Sequence, residues 1–152
     1  MSFWIEVTIG LRWQRMLDEG EIRLDAPNKT RYATFFTGMK SGDVVFHYLT
    51  AALTPPKLAE KRSCISAISR IAANPQIIGN KIVAKCSDTS FLRKPIPRVG
   101  LEKLRNSKEL GKLLRVSMRR YLTKISESDF KSIIELYPQN RGIKKKFMKS
   151  KA

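Results

Sequence analysis

Met39–Thr50, MKSGDVVFHYLT, decides how this chain is read. Gly42-Asp43 supplies a turn, because glycine tolerates left-handed backbone and aspartate bonds its own main chain. The alternation that follows puts Val44, Phe46 and Tyr48 on one face of a strand and Val45, His47 and Leu49 on the other. Both faces carry apolar groups, so the strand is expected to be covered on both sides, as in a small barrel.

Working outward, Phe3-Trp4-Ile5-Glu6-Val7-Thr8 opens the chain as a second strand, with Phe3, Ile5 and Val7 opposite Trp4, Glu6 and Thr8. FWIEVT at 3–8, FFTGMKSGD at 35–43 and FHYLT at 46–50 together resemble the EVE domain family. Its members begin with a strand reading Tyr-Trp-Leu-Val-Lys-Thr and later carry Phe-Leu-x-x-Met-Lys-x-Gly-Asp running into an aromatic strand. The first third of the chain carries the closest likeness. Ala26-Pro27-Asn28-Lys29 departs from it, standing where the family has a Gly-Val-Arg-Asn-like loop. The resemblance implies an α+β fold, a PUA-like small mixed β-barrel of five to six strands with flanking helices, related to YTH domains. It also implies recognition of a modified base in DNA or RNA.

The length of 152 residues and an apolar content of 42% suit one compact domain. The expected division is a single domain over 1–140 and a flexible basic tail over 141–152. No apolar run approaches the ~20 residues that span a bilayer, and the N-terminus lacks a signal-peptide pattern. The protein is expected to be soluble and cytoplasmic. Cys64 and Cys86 lie in apolar strand-like runs and read as buried thiols. Two cysteines and one histidine give no zinc-type ligand spacing, so no metal or other cofactor is expected.

The net charge of +17 is divided unevenly. Residues 1–60 hold 7 Lys/Arg and 7 Asp/Glu, while residues 61–152 hold 23 and 6. Such an excess favours a polyanionic partner, since each neutralised phosphate releases counterions.

Along the chain, Trp13, Met16 and Leu17 predict a helix closed by Gly20. Tyr32, Phe35, Phe36 and Met39 recur at helical spacing and predict a second helix over 29–38, capped by Asn28. Residues 51–61, with Pro55-Pro56, read as a loop over the barrel mouth. Ser63–Ala72 and Lys81–Cys86 read as strands, and Phe91–Val99, with Pro95 and Pro97, as an edge or irregular extended segment. Two helical turns follow, around Leu101/Leu104 and Leu110/Leu113/Leu114, and then a last strand over Leu114–Ile125. Ser126 caps a helix striped by Phe130, Ile133, Ile134 and Tyr137 and ended by Pro138.

A flipped base needs aromatic faces for stacking and small polar groups for its edge. Thr8, Trp13, Asn28, Arg31, His47, Tyr48 and Thr50 are the candidate lining of such a pocket. Arg93, Lys94, Arg98, Arg115, Arg119 and Arg120 are the candidate phosphate contacts. Trp4 reads as core, and His47 as a hydrogen-bonded packing residue rather than a catalytic base. The primary expectation is a non-catalytic reader of a methylated base in RNA or DNA, with oligomeric state open. The alternatives are a general RNA-binding accessory protein without modification specificity, and a small hydrolase of modified nucleosides using Glu6, Thr8 and Lys40. There is no Gly-rich phosphate loop to support nucleotide hydrolysis.

Overall fold

The structure is a computed structural model that describes residues 1–50, 55–56 and 61–148. Most of the 51–61 loop expected over the barrel mouth therefore lies outside the described residues. Seven strands build one curled mixed sheet: β1 (Phe3–Thr8), β2 (Arg23–Pro27), β3 (Val44–Leu49), β4 (Cys64–Ile71), β5 (Gln76–Ile78), β6 (Lys81–Pro97) and β7 (Leu122–Ile125). Five helices flank it: α1 (Gly10–Glu19), α2 (Arg98–Leu101), α3 (Lys108–Arg115), α4 (Glu127–Ile134) and α5 (Arg141–Met148). The strand order is β2-β6-β4-β3-β1-β7, with β5 paired to β6. Among the described strands, only β1 and β3 run parallel, Phe3 beside Val44 through Thr8 beside Leu49. The result is a curled half-barrel, and no described helix is long and apolar enough to cross a membrane.

Alternation in β1 and β3 sorts the core. Phe3, Ile5, Val7, Val44, Phe46 and Tyr48 face α2 to α5, where Phe130 stacks on Phe3 at 4.5 Å and on Phe46 at 5.2 Å. Each such ring pair adds about 0.5–1.5 kcal/mol beyond its buried area. Trp4 and Val45 face the other way, against Leu24, Ala84 and Leu122. Trp13 and Met16 of α1 pack on Leu49 and Ala67. The Gly-Asp turn works through its side chain as well as its backbone. Gly42 has φ 91, and Asp43 accepts bonds from Ser2 N at 2.8 Å, Trp4 Nε1 at 3.0 Å and Lys40 N at 2.9 Å.

Several expectations are met locally. Gly20 closes α1 at φ 73, and Ser126 Oγ caps α4 by accepting from Asp129 N at 3.0 Å. Others are corrected. The helix expected over 29–38 is only a 3-10 turn at Ala33–Phe36, without an Asn28 cap. Thr30 and Thr34 turn their hydroxyls back onto the Pro27 and Arg31 carbonyls, and Gly38 follows at φ 86, so the backbone is drawn out of α geometry. The last strand starts at Leu122 rather than Leu114, because α3 runs to Arg115 and Ser117 and Met118 are both left-handed, at φ 57 and 55. The two strand segments at 81–86 and 91–99 are one strand, β6. Ile65 pairs with Ile96 and Ala67 with Phe91, so Leu92–Pro95 bulge, which is where a proline fits a sheet. Residues 141–148 of the expected flexible tail form α5, with Phe147 fully buried. Cys64 is buried in β4 and Cys86 half-buried in β6.

Candidate functional site

Because β1 is covered on both faces, Glu6 is completely buried and must find partners there. It has three. His47 Nδ1 lies 2.7 Å from Oε1, while Arg12 Nη1 and the Tyr121 hydroxyl each donate to Oε2 at 2.9 Å. Arg12 also donates to Thr8 Oγ1 at 3.2 Å, to the Arg23 carbonyl at 2.9 Å and to Asp25 Oδ1 at 3.4 Å. Asp25 N donates to the Tyr121 oxygen at 3.1 Å. One carboxylate thus ties α1, β2, β3 and the segment before β7 together.

Burial pushes the Glu6 carboxyl up, but the His47 bond and charge, the Arg12 charge and the Tyr121 hydroxyl more than offset it and hold it below its usual value. Burial and the Glu6 charge push the Tyr121 phenol well above its ordinary range, so it stays a donor. Burial likewise pushes the Cys86 thiol up.

On its other side His47 Nε2 lies 2.7 Å from Ser69 Oγ, which is 2.7 Å from Thr89 Oγ1. Carboxylate, imidazole and hydroxyl stand in the order of a nucleophile triad. Yet Glu6, His47 and Ser69 all have zero exposure, and the Trp13 ring covers His47 at 4.8 Å. The chain of bonds joins β1, β3, β4 and β6 within the core.

Tyr121 connects this buried network to the surface. Its ring, with Arg31, Tyr32, Phe35, Val116, Arg119 and Arg120, lines an open groove of about 430 Å3. Tyr32 is 41% exposed and meets Phe35 edge-to-face at 5.9 Å. The Arg31 guanidinium lies 5.1 Å from the Tyr32 ring centre and that of Arg120 lies 4.9 Å from Phe35. The groove continues past Val116 and Arg120 into a hollow beside Lys112 and Arg115. The left-handed pair Ser117-Met118, anchored by the buried Met118 side chain, holds Arg119 and Arg120 outward. Rings alternate with guanidinium groups along this floor, an arrangement suited to planar, anionic ligands.

The expected site residues are only partly gathered. Thr8, Trp13 and His47 come together, but Trp13 and His47 are fully buried packing groups. Tyr48 lies on the opposite sheet face, in the helix-side core. Thr50 N bonds the Thr8 carbonyl at 2.9 Å, at the strand ends, and Asn28 N bonds the Asn80 carbonyl at 2.8 Å. Arg31 lies in the groove. Lys40 precedes β3 and Thr8 ends β1, so the parallel register sets the suggested amine at the opposite end of the pair from the hydroxyl, while Glu6 and Thr8 share Arg12. Of the phosphate candidates, Arg115, Arg119 and Arg120 share one surface. Arg93, Lys94 and Arg98 lie apart, Lys94 over the Tyr137 ring at 4.3 Å and Arg98 paired to Glu102 at 3.7 Å. Sequence reasoning missed Arg12, Asp25, Ser69 and Tyr121 as network members. The spacing of Tyr32 and Phe35 points to a helical stripe, whereas both rings line the groove.

The curled half-barrel with flanking helices is the α+β, PUA-like fold that the sequence resemblance implies. The family model of the EVE domain matches residues 2–136, and the chain belongs to that family. No curated protein matches the sequence. Among solved structures, Rpa0253 from Rhodopseudomonas palustris is similar at TM-score 0.65 and 13% identity, over 90% of this chain and 92% of that one. A protein from Pseudomonas putida is similar at 0.62 and 15%, over 89% and 99%. Human THYN1 protein, solved in complex with DNA containing 5-methylcytosine, is similar at 0.61 and 12%, over 90% and 97%.

Proposed function

We propose that this protein is a non-catalytic nucleic-acid-binding module that stacks an unpaired or everted, methylated base in the groove of Tyr32, Phe35 and Tyr121. Arg31, Arg119 and Arg120 hold the adjoining phosphates. The observation that carries this reading is the interleaving of the exposed Tyr32 ring and the half-buried Phe35 and Tyr121 rings with guanidinium groups along one open groove, which offers stacking to the base and charge to the backbone. Family membership and the methylcytosine DNA held by the THYN1 protein support it. The closed Glu6–His47–Ser69 chain supports a binding rather than a catalytic role. The test is equilibrium binding to single-stranded DNA and RNA, with and without 5-methylcytosine, at two salt concentrations. Tighter binding of the methylated strand is expected, and no affinity for any strand defeats the proposal.

A second reading, RNA binding without modification specificity, is favoured by one observation. Trp13, His47 and Tyr48 are buried, and the groove that remains is open. Equal affinity for methylated and plain strands decides for it.

A further inference from the structure

Helix α5 lies beyond the residues that the family model matches, and its composition is unbalanced: Arg141, Lys144, Lys145 and Lys146 with no acidic residue. Arg141 and Lys145 are four apart, a like-charge pair that disfavours an isolated helix. The helix is nevertheless firmly docked. Phe147 is fully buried in the helix-side core, and Asn140, also fully buried, clasps β6 by accepting from Lys94 N at 3.1 Å and donating to the Lys94 carbonyl at 3.0 Å. Arg70 Nη2 donates to the Lys146 carbonyl at 3.1 Å.

Beside α5 is a cleft of about 510 Å3 lined by Glu135, Pro138, Arg141, Lys144, Lys145 and Met148. Glu135 is the one acid among its described lining residues and is engaged by Lys144. Its carboxyl is held below the usual range by that bond and charge. Arg141 and Lys145 are exposed and face no carboxylate among the described ion pairs. Across the Asn140 clasp stands Lys94, also exposed.

We infer that the α5 cleft is a second phosphate-binding surface, which takes the sugar-phosphate backbone of the nucleic acid at a distance from the base-holding groove. The inference rests on the proposed nucleic-acid binding and deepens it. The surface shares no lining residue with the groove, so a strand that only fills the groove does not reach it. Charge complementarity selects a polyanion: three cations stand against one engaged acid, on a rigid support that spares the ordering cost of a loose tail.

The test compares the full chain with an Arg141→Gln, Lys145→Gln double variant, both positions being exposed. The probes are a hexamer and a twenty-mer single strand, titrated over a range of salt. A Lys81→Gln, Lys85→Gln variant, in the exposed part of β6, controls for net charge. Loss of two phosphate contacts makes the log affinity against log salt slope of the twenty-mer shallower by about 1.4, with several-fold weaker binding, while the hexamer is unaffected. An unchanged twenty-mer slope, or an equal effect of the control pair, overturns the α5 assignment and leaves the groove reading standing. Absence of binding by the unaltered chain overturns both.

Discussion

Replacing Glu6 tests whether the groove is held from beneath. Glu6→Ala removes three bonds of 2.7–2.9 Å from a completely buried carboxylate and leaves the Arg12 guanidinium, 24% exposed, with the longer Asp25 contact as its one remaining ion pair beside its bonds to Thr8 Oγ1 and the Arg23 carbonyl. Breaking a buried pair by removing one partner costs about 3–5 kcal/mol, against at most about 1 kcal/mol for a surface pair. With a urea slope near 2 kcal/mol/M, a loss of 4 kcal/mol lowers the unfolding midpoint by about 2 M. Glu6→Gln keeps the shape and is expected to cost about 1.5–3 kcal/mol. The pH dependence separates charge from shape. Glu6 is held below 4.5 in the folded chain, so its contribution is full above that value and fades as pH falls through the lower folded pKa. The gap between the unaltered protein and Glu6→Gln should therefore shrink below about pH 4.5. Urea unfolding at neutral and acid pH measures both. A cost under about 1 kcal/mol for Glu6→Ala, or a gap that does not change with pH, refutes the reasoning.

Other outcomes follow from single residues. Tyr32→Ala should weaken single-strand binding by about 1–3 kcal/mol with no change in thermal unfolding, because the ring is exposed; anisotropy titration and calorimetry check the two halves. Phe147→Ala should cost about 3–5 kcal/mol in urea unfolding if α5 is part of the core, and almost nothing if 141–148 behaves as a loose tail. Gly111→Ala brings a Cβ within 2.3 Å of the Arg105 carbonyl oxygen, so thermal unfolding should show a loss of about 1–3 kcal/mol despite the better helix propensity of alanine. Ser126→Ala should cost about 1 kcal/mol through loss of the α4 cap, measured the same way.

What could be read from sequence was whatever local period and local chemistry decide. The two faces of β1 and β3, the Gly20 closure and the Ser126 cap each depend on a few neighbouring residues. β2 was illegible because RLDAP has no strand pattern of its own; its five residues are ordered by pairing with Lys81–Lys85. The spacing of Tyr32, Phe35, Phe36 and Met39 is helical, yet Thr30, Thr34 and Gly38 overrule it. A tail is what the sequence suggests for 141–148, since only Ile143, Phe147 and Met148 oppose four cations, whereas the buried Phe147, the Asn140 clasp and the Arg70 bond to the Lys146 carbonyl together dock α5. The network escaped because Tyr121 and Glu6 are 115 positions apart. One signal was available: a glutamate inside a strand expected to be covered on both faces requires a cation and donors nearby.

The groove itself is tested most directly by ultraviolet crosslinking of a bound single strand containing 5-methylcytosine, with the attached peptides mapped by mass spectrometry. Attachment at Tyr32, Phe35 or Tyr121, lost in competition with the unlabelled strand, is the expected result. Crosslinks that avoid all three rings, in a complex shown to be saturated, contradict the account.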